Sequence, residues 1–228
     1  MMEVHHRNLD KRRDQIERLL SRILQQKINI AFATELSLEH RPSLRGFASA
    51  GLHDLIREKT PERFVDTRPA FVVMDAVLRT LEPILAAIRF DNVAVHEAAH
   101  VLVDAMTSGS CARFHGGELR RLAIAKPTKE PIPWLTHHGR FIRVMLHIAH
   151  RAKSGGMLVD LPIAFCGKNY GLSHIKKYAA ALGDEPQKKD WQTVAEVVAT
   201  PMPEKFKKLW TADVLRSVKS VRSRKEQV

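Results

Sequence analysis

The feature that most constrains this chain is a stretch, Val93–Met106, that is apolar at almost every position. Its spacing is typical of a helix, and a helix that is apolar nearly all round belongs in the protein core. Asp91 and Asn92 precede the stretch and are predicted to cap its N-terminus. The residues that break the apolar pattern are His96, Glu97, His100 and Asp104. Because ionisable groups in a buried helix need partners, the two histidines and the glutamate are predicted to share one internal partner.

The sequence His96-Glu97-Ala98-Ala99-His100 has the spacing of a metal site. Residues four apart lie one turn apart on the same face of a helix, so two imidazoles can bind one Zn²⁺ at about 2.0–2.1 Å each. Glu97 follows the first histidine and points partly toward the same cavity. There it is predicted to accept a proton from a metal-bound water instead of binding the metal.

A catalytic zinc site needs a third protein ligand and one position open for water. A second helix is predicted to start near His137 or His138 and to run to about Lys153. His138 is favoured as the ligand because it shares the predicted buried face of that helix with Phe141. His137 lies beside that position and could replace His138 through a small register shift. The other residues considered are His115, His147, His150, His174, Asp104 and several glutamates.

Two of those alternatives lie on the same predicted helix as His138. His147 falls about half a revolution from His138, at 100° per residue, and is predicted to face solvent. His150 is about a third of a revolution away and is predicted to flank the site. Asp104 lies one turn beyond His100, where it either accepts a hydrogen bond from a ligand imidazole or serves as a polar residue near the helix end.

The histidine pair together with His138-Gly139-Arg140-Phe141 resembles the SprT-like zinc metallopeptidases and related small zincins. In that family two ligands come from the active-site helix, and the third comes from a histidine-glycine pair at the start of a following helix. The resemblance extends from about Val93 to Arg151. It implies Zn²⁺ as cofactor, His96, His100 and His138 as ligands, Glu97 as catalytic base, and Gly139 and Phe141 as framing residues.

The implied reaction is hydrolysis of a peptide bond in a protein or peptide substrate. A water activated by zinc attacks a polarised carbonyl while Glu97 takes the proton. A β-hairpin is predicted at Ala112–Lys126, and its edge strand could align an extended peptide. Residues that could further stabilise the oxyanion are Tyr170, Arg140, His137 and His150.

The predicted fold class is α+β and mainly helical, with a zincin-like core, a small β-hairpin or sheet, and helical flanks. Residues 1–68 are predicted to form an N-terminal helical region and connector. Residues 69–190 are predicted to form the metal-binding domain, and residues 191–228 a basic C-terminal helical tail. A chain of 228 residues is long enough for one moderate domain with helical extensions.

Apolar residues at threes and fours predict a helix over Leu9–Phe32. Proline and glycine mark Arg41–Pro69 as a connector, with a short helix at Leu52–Glu58. The apolar segment Phe71–Ile88 is predicted to be helical and to bend or restart at Pro83. Ionisable groups interrupt it too often for a bilayer-spanning helix, so no membrane partner is expected.

Lys and Arg total 37 against 25 Asp and Glu, which gives a formal net charge of +12. Such an excess favours polyanionic partners. The region from Glu204 onward is especially basic, so the alternative function is a nucleic-acid-associated protein with a structural or vestigial zinc site, the tail contacting phosphates without sequence preference. A further possibility is a metalloprotease that cleaves one partner only.

Cysteine usage limits the compartment and the kind of metal site. The two cysteines, Cys111 and Cys166, exclude a disulfide framework and a four-cysteine zinc ribbon. Each is predicted to be a buried free thiol. A reducing, cytoplasmic location is the simplest interpretation.

Overall fold

A computed structural model of the protein describes residues 2–39, 45–48, 52–63, 69–107, 139–165, 172–188 and 193–225. The described helices are α1 (Met2–Leu24), α2 (Leu52–Lys59), α3 (Pro83–Thr107), α4 (Gly139–Ser154), α5 (Leu161–Ala164), α6 (Leu172–Leu182), α7 (Glu185–Lys188), α8 (Val194–Ala199) and α9 (Glu204–Lys225). The described strands are β1 (Asn29–Phe32), β2 (Gly46–Ala48) and β3 (Ala70–Val73), and single 3₁₀ turns occupy Pro61–Arg63 and Leu78–Thr80. The predicted α+β, mainly helical class is confirmed.

The three described strands form one mixed sheet in the order β1-β3-β2. β1 pairs parallel to β3, and β2 pairs antiparallel to β3 on its other side. Successive side chains of β1 and β3 point to opposite faces, and both faces are buried. Phe32 and Phe71 face the main core beneath α1 and α3, whereas Val72 faces a smaller cluster formed with α2. Burial on both faces explains why β1 and β3 are continuous apolar runs without polar alternation.

The predicted helix Leu9–Phe32 is wrong in its last third. α1 ends at Leu24, Gln25 adopts a left-handed conformation with φ of 52°, and the chain then enters β1. A left-handed residue at this position is a common way to end a helix. The apolar residues of Asn29–Phe32 satisfy a helical period by chance, because a short buried run does not distinguish a strand from a helix.

The predicted helix Phe71–Ile88 is wrong from Phe71 to Glu82, whereas its predicted restart at Pro83 is confirmed. Its first residues belong to β3, a 3₁₀ turn follows, and α3 begins at Pro83. Proline suits the start of a helix because its missing N–H would have no intrahelical partner there. The helix that carries the histidine pair therefore starts earlier than predicted, and Asp91 and Asn92 lie inside it instead of capping it. The short helix predicted at Leu52–Glu58 is confirmed as α2.

α3 lies at the centre of the fold. It packs against α1, α4, α5 and the strands β2 and β3. The main hydrophobic cluster includes Leu20, Phe90 and Phe206. It therefore contains residues from each of the three predicted regions, 1–68, 69–190 and 191–228. No helix in the described ranges combines the length and apolarity needed to cross a bilayer. The hairpin predicted at Ala112–Lys126 lies outside the described residues.

A docked segment, residues 157–164, is fastened to α3 by two fully buried polar residues. Asp91 accepts a hydrogen bond from the Leu158 backbone N–H at 2.7 Å. The Asn92 side chain donates to the Leu158 carbonyl at 3.0 Å and accepts from the Asp160 N–H at 2.8 Å. Backbone groups of the segment thus obtain partners from α3 in place of a neighbouring strand or helix.

Asp91 should be one of the most sensitive polar positions in the protein. Its carboxylate is fully buried and pairs with the Arg12 guanidinium through Nε at 3.0 Å and through Nη2. We expect Asp91→Asn to lower the free energy of unfolding by about 3 kcal/mol, because it leaves a partly buried cation without its counter-ion. The control variant Asp10→Asn, which removes a half-exposed partner of Arg13, should lower the free energy of unfolding by under about 1 kcal/mol. Urea denaturation measures both, and equal small losses would contradict the proposed importance of Asp91.

Candidate metal centre

The histidine pair is arranged on α3 as the spacing predicts. His96 and His100 present their rings side by side, with centroids 5.0 Å apart and planes at 65°. His96 and Glu97 are buried, and His100 is half-buried. Because the two imidazoles lie one helical turn apart on the same face, both could bind the same metal ion.

His96 is held in one orientation by the last residue of the docked segment. Its Nδ1 lies 2.8 Å from the carbonyl oxygen of Ala164 at the end of α5. A carbonyl only accepts hydrogen bonds, so Nδ1 carries the proton and the lone pair of the neutral ring is on Nε2. A hydrogen bond from the non-ligating nitrogen to a carbonyl is the usual means by which proteins orient a metal-binding histidine.

Burial keeps His96 in its neutral form. Removal from solvent lowers the pKa of His96 from 6.5 to about 4, and the hydrogen bond to Ala164 offsets only part of that effect. A charged imidazole cannot bind a cation, whereas a neutral one can. At neutral pH His96 is consequently ready to act as a ligand without first losing a proton.

Phe141 links the start of α4 to the histidine pair. Its ring centroid lies 5.1 Å from that of His96 and 4.4 Å from that of His100. The first residue of α4, Gly139, is closely covered by the indole of Trp210, since a Cβ placed there would lie 2.7 Å from the Trp210 Cγ. These contacts fix the beginning of α4 beside the two imidazoles.

Glu97 lies between α3 and the edge strand β2. A Cβ built on Gly46 would be 2.9 Å from the Glu97 Cγ, 2.8 Å from a methyl of Val93 and 2.8 Å from the Val72 carbonyl oxygen. Only glycine allows β2 to approach α3 this closely. The glutamate stem is therefore confined beside the strand, and its position depends on a glycine that the sequence pattern did not single out.

The donor set fits zinc as far as the structure describes it. Two of the three predicted ligands, His96 and His100, lie together, and the third, His138, lies outside the described residues. Among the described residues no group of three His, Cys, Asp or Glu side chains could hold a metal ion. Four other ligand candidates lie outside the described residues or side chains, namely Asp104, His115, His137 and His174. The same holds for Tyr170, a candidate oxyanion donor, and for Cys111 and Cys166, predicted to be free thiols.

The prediction that His147 faces solvent is wrong. Its side chain is fully buried and its Nε2 lies 2.8 Å from a carboxylate oxygen of Glu185 on α7. The prediction assumes that α4 is amphipathic, with one face exposed to solvent. In the structure α7 and α8 pack on that face. Arg143 donates to the same carboxylate at 2.8 Å and also to the carbonyl of Thr200. His147 thus belongs to a structural ion cluster, while His150 is half-buried at the edge of α4.

Glu185 keeps its charge in this cluster although it is partly buried. Burial raises the pKa of Glu185, but hydrogen bonds from His147 and Arg143 outweigh it, so that the pKa lies below the ordinary value of 4.5. The carboxylate is therefore ionised at neutral pH and can balance the buried Arg143 cation.

Sequence reasoning missed the residues that position His96. Asn92 and Asp91 were assigned to a helix cap, yet from inside α3 they fasten the segment that leads to the Ala164 carbonyl. A signal was present, since Asn92 lies one turn before His96 in a helix that is otherwise apolar. The same reasoning that identified the histidines, that buried polar groups need partners, applies to this pair.

Comparisons with known proteins give no match. No protein-family model, no curated protein and no solved structure matches the chain. The candidate site therefore depends on its own residues and geometry.

The low pKa of His96 makes stability depend on pH in a defined window. Above pH 6.5 the ring is neutral in both the folded and the unfolded chain, and below 6.5 the unfolded chain takes up the proton first. Stability therefore falls as the pH drops from 6.5 toward 4. The matched variant is His96→Gln, which preserves a donor toward Ala164 but does not titrate. Between pH 7 and pH 5 we expect the free energy of unfolding of the metal-free parent to fall by roughly 2 kcal/mol more than that of the variant.

Urea denaturation at the two pH values measures this difference. NMR titration of the metal-free protein should place the protonation of His96 near pH 4. A midpoint near 6.5, with equal pH dependence of the parent and the variant, would show that the ring is not buried as described.

Proposed function

We propose that the protein is a cytoplasmic zinc-dependent metallopeptidase with a zincin-like core. His96, His100 and His138 are the proposed ligands, and Glu97 is the proposed general base. The observation that carries this proposal is the state of His96, which is buried, neutral and held through Nδ1 by a backbone carbonyl beside a second imidazole. That combination is what a zinc ligand requires.

The third ligand is proposed from the position of α4. This helix begins at Gly139, one residue after His138, and its Phe141 ring contacts both imidazoles. The start of α4 is therefore close to the histidine pair, which supports a donor from the residue before it. His137 is the neighbouring alternative.

The proposed reaction is attack of water on a peptide carbonyl. Zinc bound here would lower the pKa of a water molecule and polarise the carbonyl. The carboxylate of Glu97 accepts one proton of the water as the water oxygen bonds to the carbonyl carbon. When the C–N bond breaks, Glu97 returns that proton to the leaving amine. Confinement of Glu97 beside Gly46 supports this role, because a proton carrier must stay in place between the two transfers.

The strand β2 is a suitable guide for an extended substrate. Among the described strands, β2 has β3 on one side only, so its other edge has no strand partner there. Gly46 of β2 also lies close to the Glu97 stem, since a Cβ built on it would be 2.9 Å from the Glu97 Cγ. A peptide added to this edge by main-chain hydrogen bonds would lie next to the proposed base. We therefore propose β2 as a strand that aligns the substrate, beside the predicted hairpin Ala112–Lys126, which lies outside the described residues.

Glu97→Gln tests the role of the base. The substitution keeps the shape of the side chain but removes its proton affinity, so hydrolysis of a quenched-fluorescent peptide library should fall by a factor of about 10² or more. Zinc content, measured by atomic emission, should be unchanged. Glu62→Gln, at an exposed position, is the matched control and should retain full activity.

The same variant separates the peptidase from the nucleic-acid-associated alternative. Under that alternative the parent would carry zinc and bind nucleic acid through the basic tail, but neither the parent nor Glu97→Gln would hydrolyse any peptide of the library. A zinc-loaded parent that cleaves no peptide of the library would thus overturn the proposal of a general peptidase and leave, on that side, only a metalloprotease that cleaves one partner.

Alanine substitutions at the two neighbouring histidines identify the third ligand. We expect His138→Ala to lower zinc affinity by a factor of 10² or more, since only two imidazoles would remain, a loss of about 3 kcal/mol. His137→Ala should retain near-stoichiometric zinc. Competition with a chromogenic chelator measures both affinities. The reverse result would move the ligand to His137, and unchanged affinity in both variants would place it on another element.

A further inference from the structure

A cleft of about 700 Å³ opens between α1, the turn that follows it, and the end of α4. The lining combines cationic side chains with aliphatic ones. The cationic residues are Arg12, Arg18, Arg22 and Lys27, and the aliphatic ones are Ile16, Leu19, Ile28 and Met157. This cleft is separate from the histidine pair and is not explained by the proposed reaction.

The described lining of the cleft keeps a net positive charge, because three cations that form no ion pair there outnumber the one carboxylate, Glu17. Arg18, Arg22 and Lys27 are exposed and form no ion pair with any described residue. Arg12 is committed to Asp91. The acidic lining residue, Glu17, accepts a hydrogen bond from the Ile30 N–H at 3.0 Å. Three cations are thus available to a ligand along the rim.

The floor of the cleft is aliphatic. Ile16 and Ile28 are buried, as is Met157, and Leu19 packs closely over Gly155 at the end of α4. No aromatic ring is found among the described residues that line the cleft. Single-stranded nucleic acids are usually bound by aromatic rings on which bases stack. An aliphatic floor with a cationic rim instead matches a peptide that carries both carboxylates and aliphatic side chains.

The cleft is connected to the candidate metal centre through one stretch of chain. Met157 lines the cleft and begins the docked segment, and Ala164 ends it at the carbonyl that holds His96. Along α3, Asp91 and His96 are separated by five residues, or about 7.5 Å of helix. A ligand in the cleft would therefore lie against the same structural unit that orients the proposed ligand His96.

We propose that this cleft is a docking site for an acidic, aliphatic peptide segment of the substrate. That the segment belongs to a substrate rests on the proposed peptidase function. That a peptide binds in the cleft requires only the cleft itself. Carboxylates of the segment pair with Arg18, Arg22 and Lys27 at the rim, and leucine or isoleucine side chains cover the floor. The preferred substrates are accordingly proteins with an exposed acidic segment outside the bond that is cut.

Binding is tested on the zinc-loaded Glu97→Gln protein, which keeps a peptide intact. The probe is a fluorescent peptide of about twelve residues composed of Glu, Asp, Leu and Ile, followed by fluorescence anisotropy. Arg18→Glu/Arg22→Glu should weaken binding about tenfold, because two attractions become repulsions. Lys205→Glu/Lys207→Glu changes the net charge equally at exposed positions of α9 and should leave binding nearly unchanged. Circular dichroism verifies that both variants are folded.

Two further probes decide the chemistry of the ligand. A peptide with serine in place of Leu and Ile should bind several-fold more weakly if the aliphatic floor contributes. Equal binding of the serine peptide, or equal losses in the two double variants, would overturn the proposal. So would tighter binding of a single-stranded oligonucleotide that also depends on Arg18 and Arg22, because it would assign the cleft to nucleic acid.

The proposed function and this inference fail separately. If the parent hydrolyses no peptide while the cleft binds the acidic probe through Arg18 and Arg22, docking stands and the peptidase proposal falls. If the parent hydrolyses peptides but acidic segments do not lower KM relative to their serine-for-acid counterparts, the substrate assignment falls and the peptidase remains.

Discussion

The buried polar side chains of α3 need hydrogen-bond partners, and the bonds that they form determine how the candidate site is built. Asp91, Asn92 and His96 are buried in an otherwise apolar helix, and each is bonded to the backbone of residues 157–164. An unpaired buried polar group costs roughly 1–3 kcal/mol, so this segment cannot leave α3 without exposing or orphaning several groups together. The hydrogen bonds that stabilise the packing of the segment are also those that fix the tautomer and orientation of His96.

The same interactions extend to the surface. Arg12 of α1 pairs with Asp91, and Met157, which lines the same cleft as Arg12, begins the docked segment. The cationic cleft and the histidine pair are consequently two ends of one hydrogen-bonded unit that rests on α3. On the other side of the helix, Gly46 lets β2 approach Glu97. The proposed base Glu97 and the proposed ligand His96 are thus adjacent in sequence but are positioned by different parts of the fold.

Sequence patterns predicted the local features of the site better than its surroundings. The spacing of His96 and His100 required only helical geometry. The helix predicted to start near His137 or His138 is described from Gly139 onward, and the apolar pattern at Phe141 and beyond was enough to predict it. The strand β1 was mistaken for helix, because four buried apolar residues satisfy either period and only pairing with β3 decides between them. Burial of His147 could not be predicted either, since α7 and α8 cover α4 through contacts between distant parts of the chain.

The two buried histidines of the described residues, His96 and His147, illustrate why one is proposed as a metal ligand and the other is given a structural role. His147 lies against the carboxylate of Glu185, which Arg143 also contacts, so its nearest partner bears a full negative charge. His96 has a neutral carbonyl as partner, and burial lowers its pKa to about 4. Burial beside a carbonyl favours the neutral His96 ring with a lone pair on Nε2. The environment of His96, more than the HExxH pattern itself, is the physical argument for a bound cation.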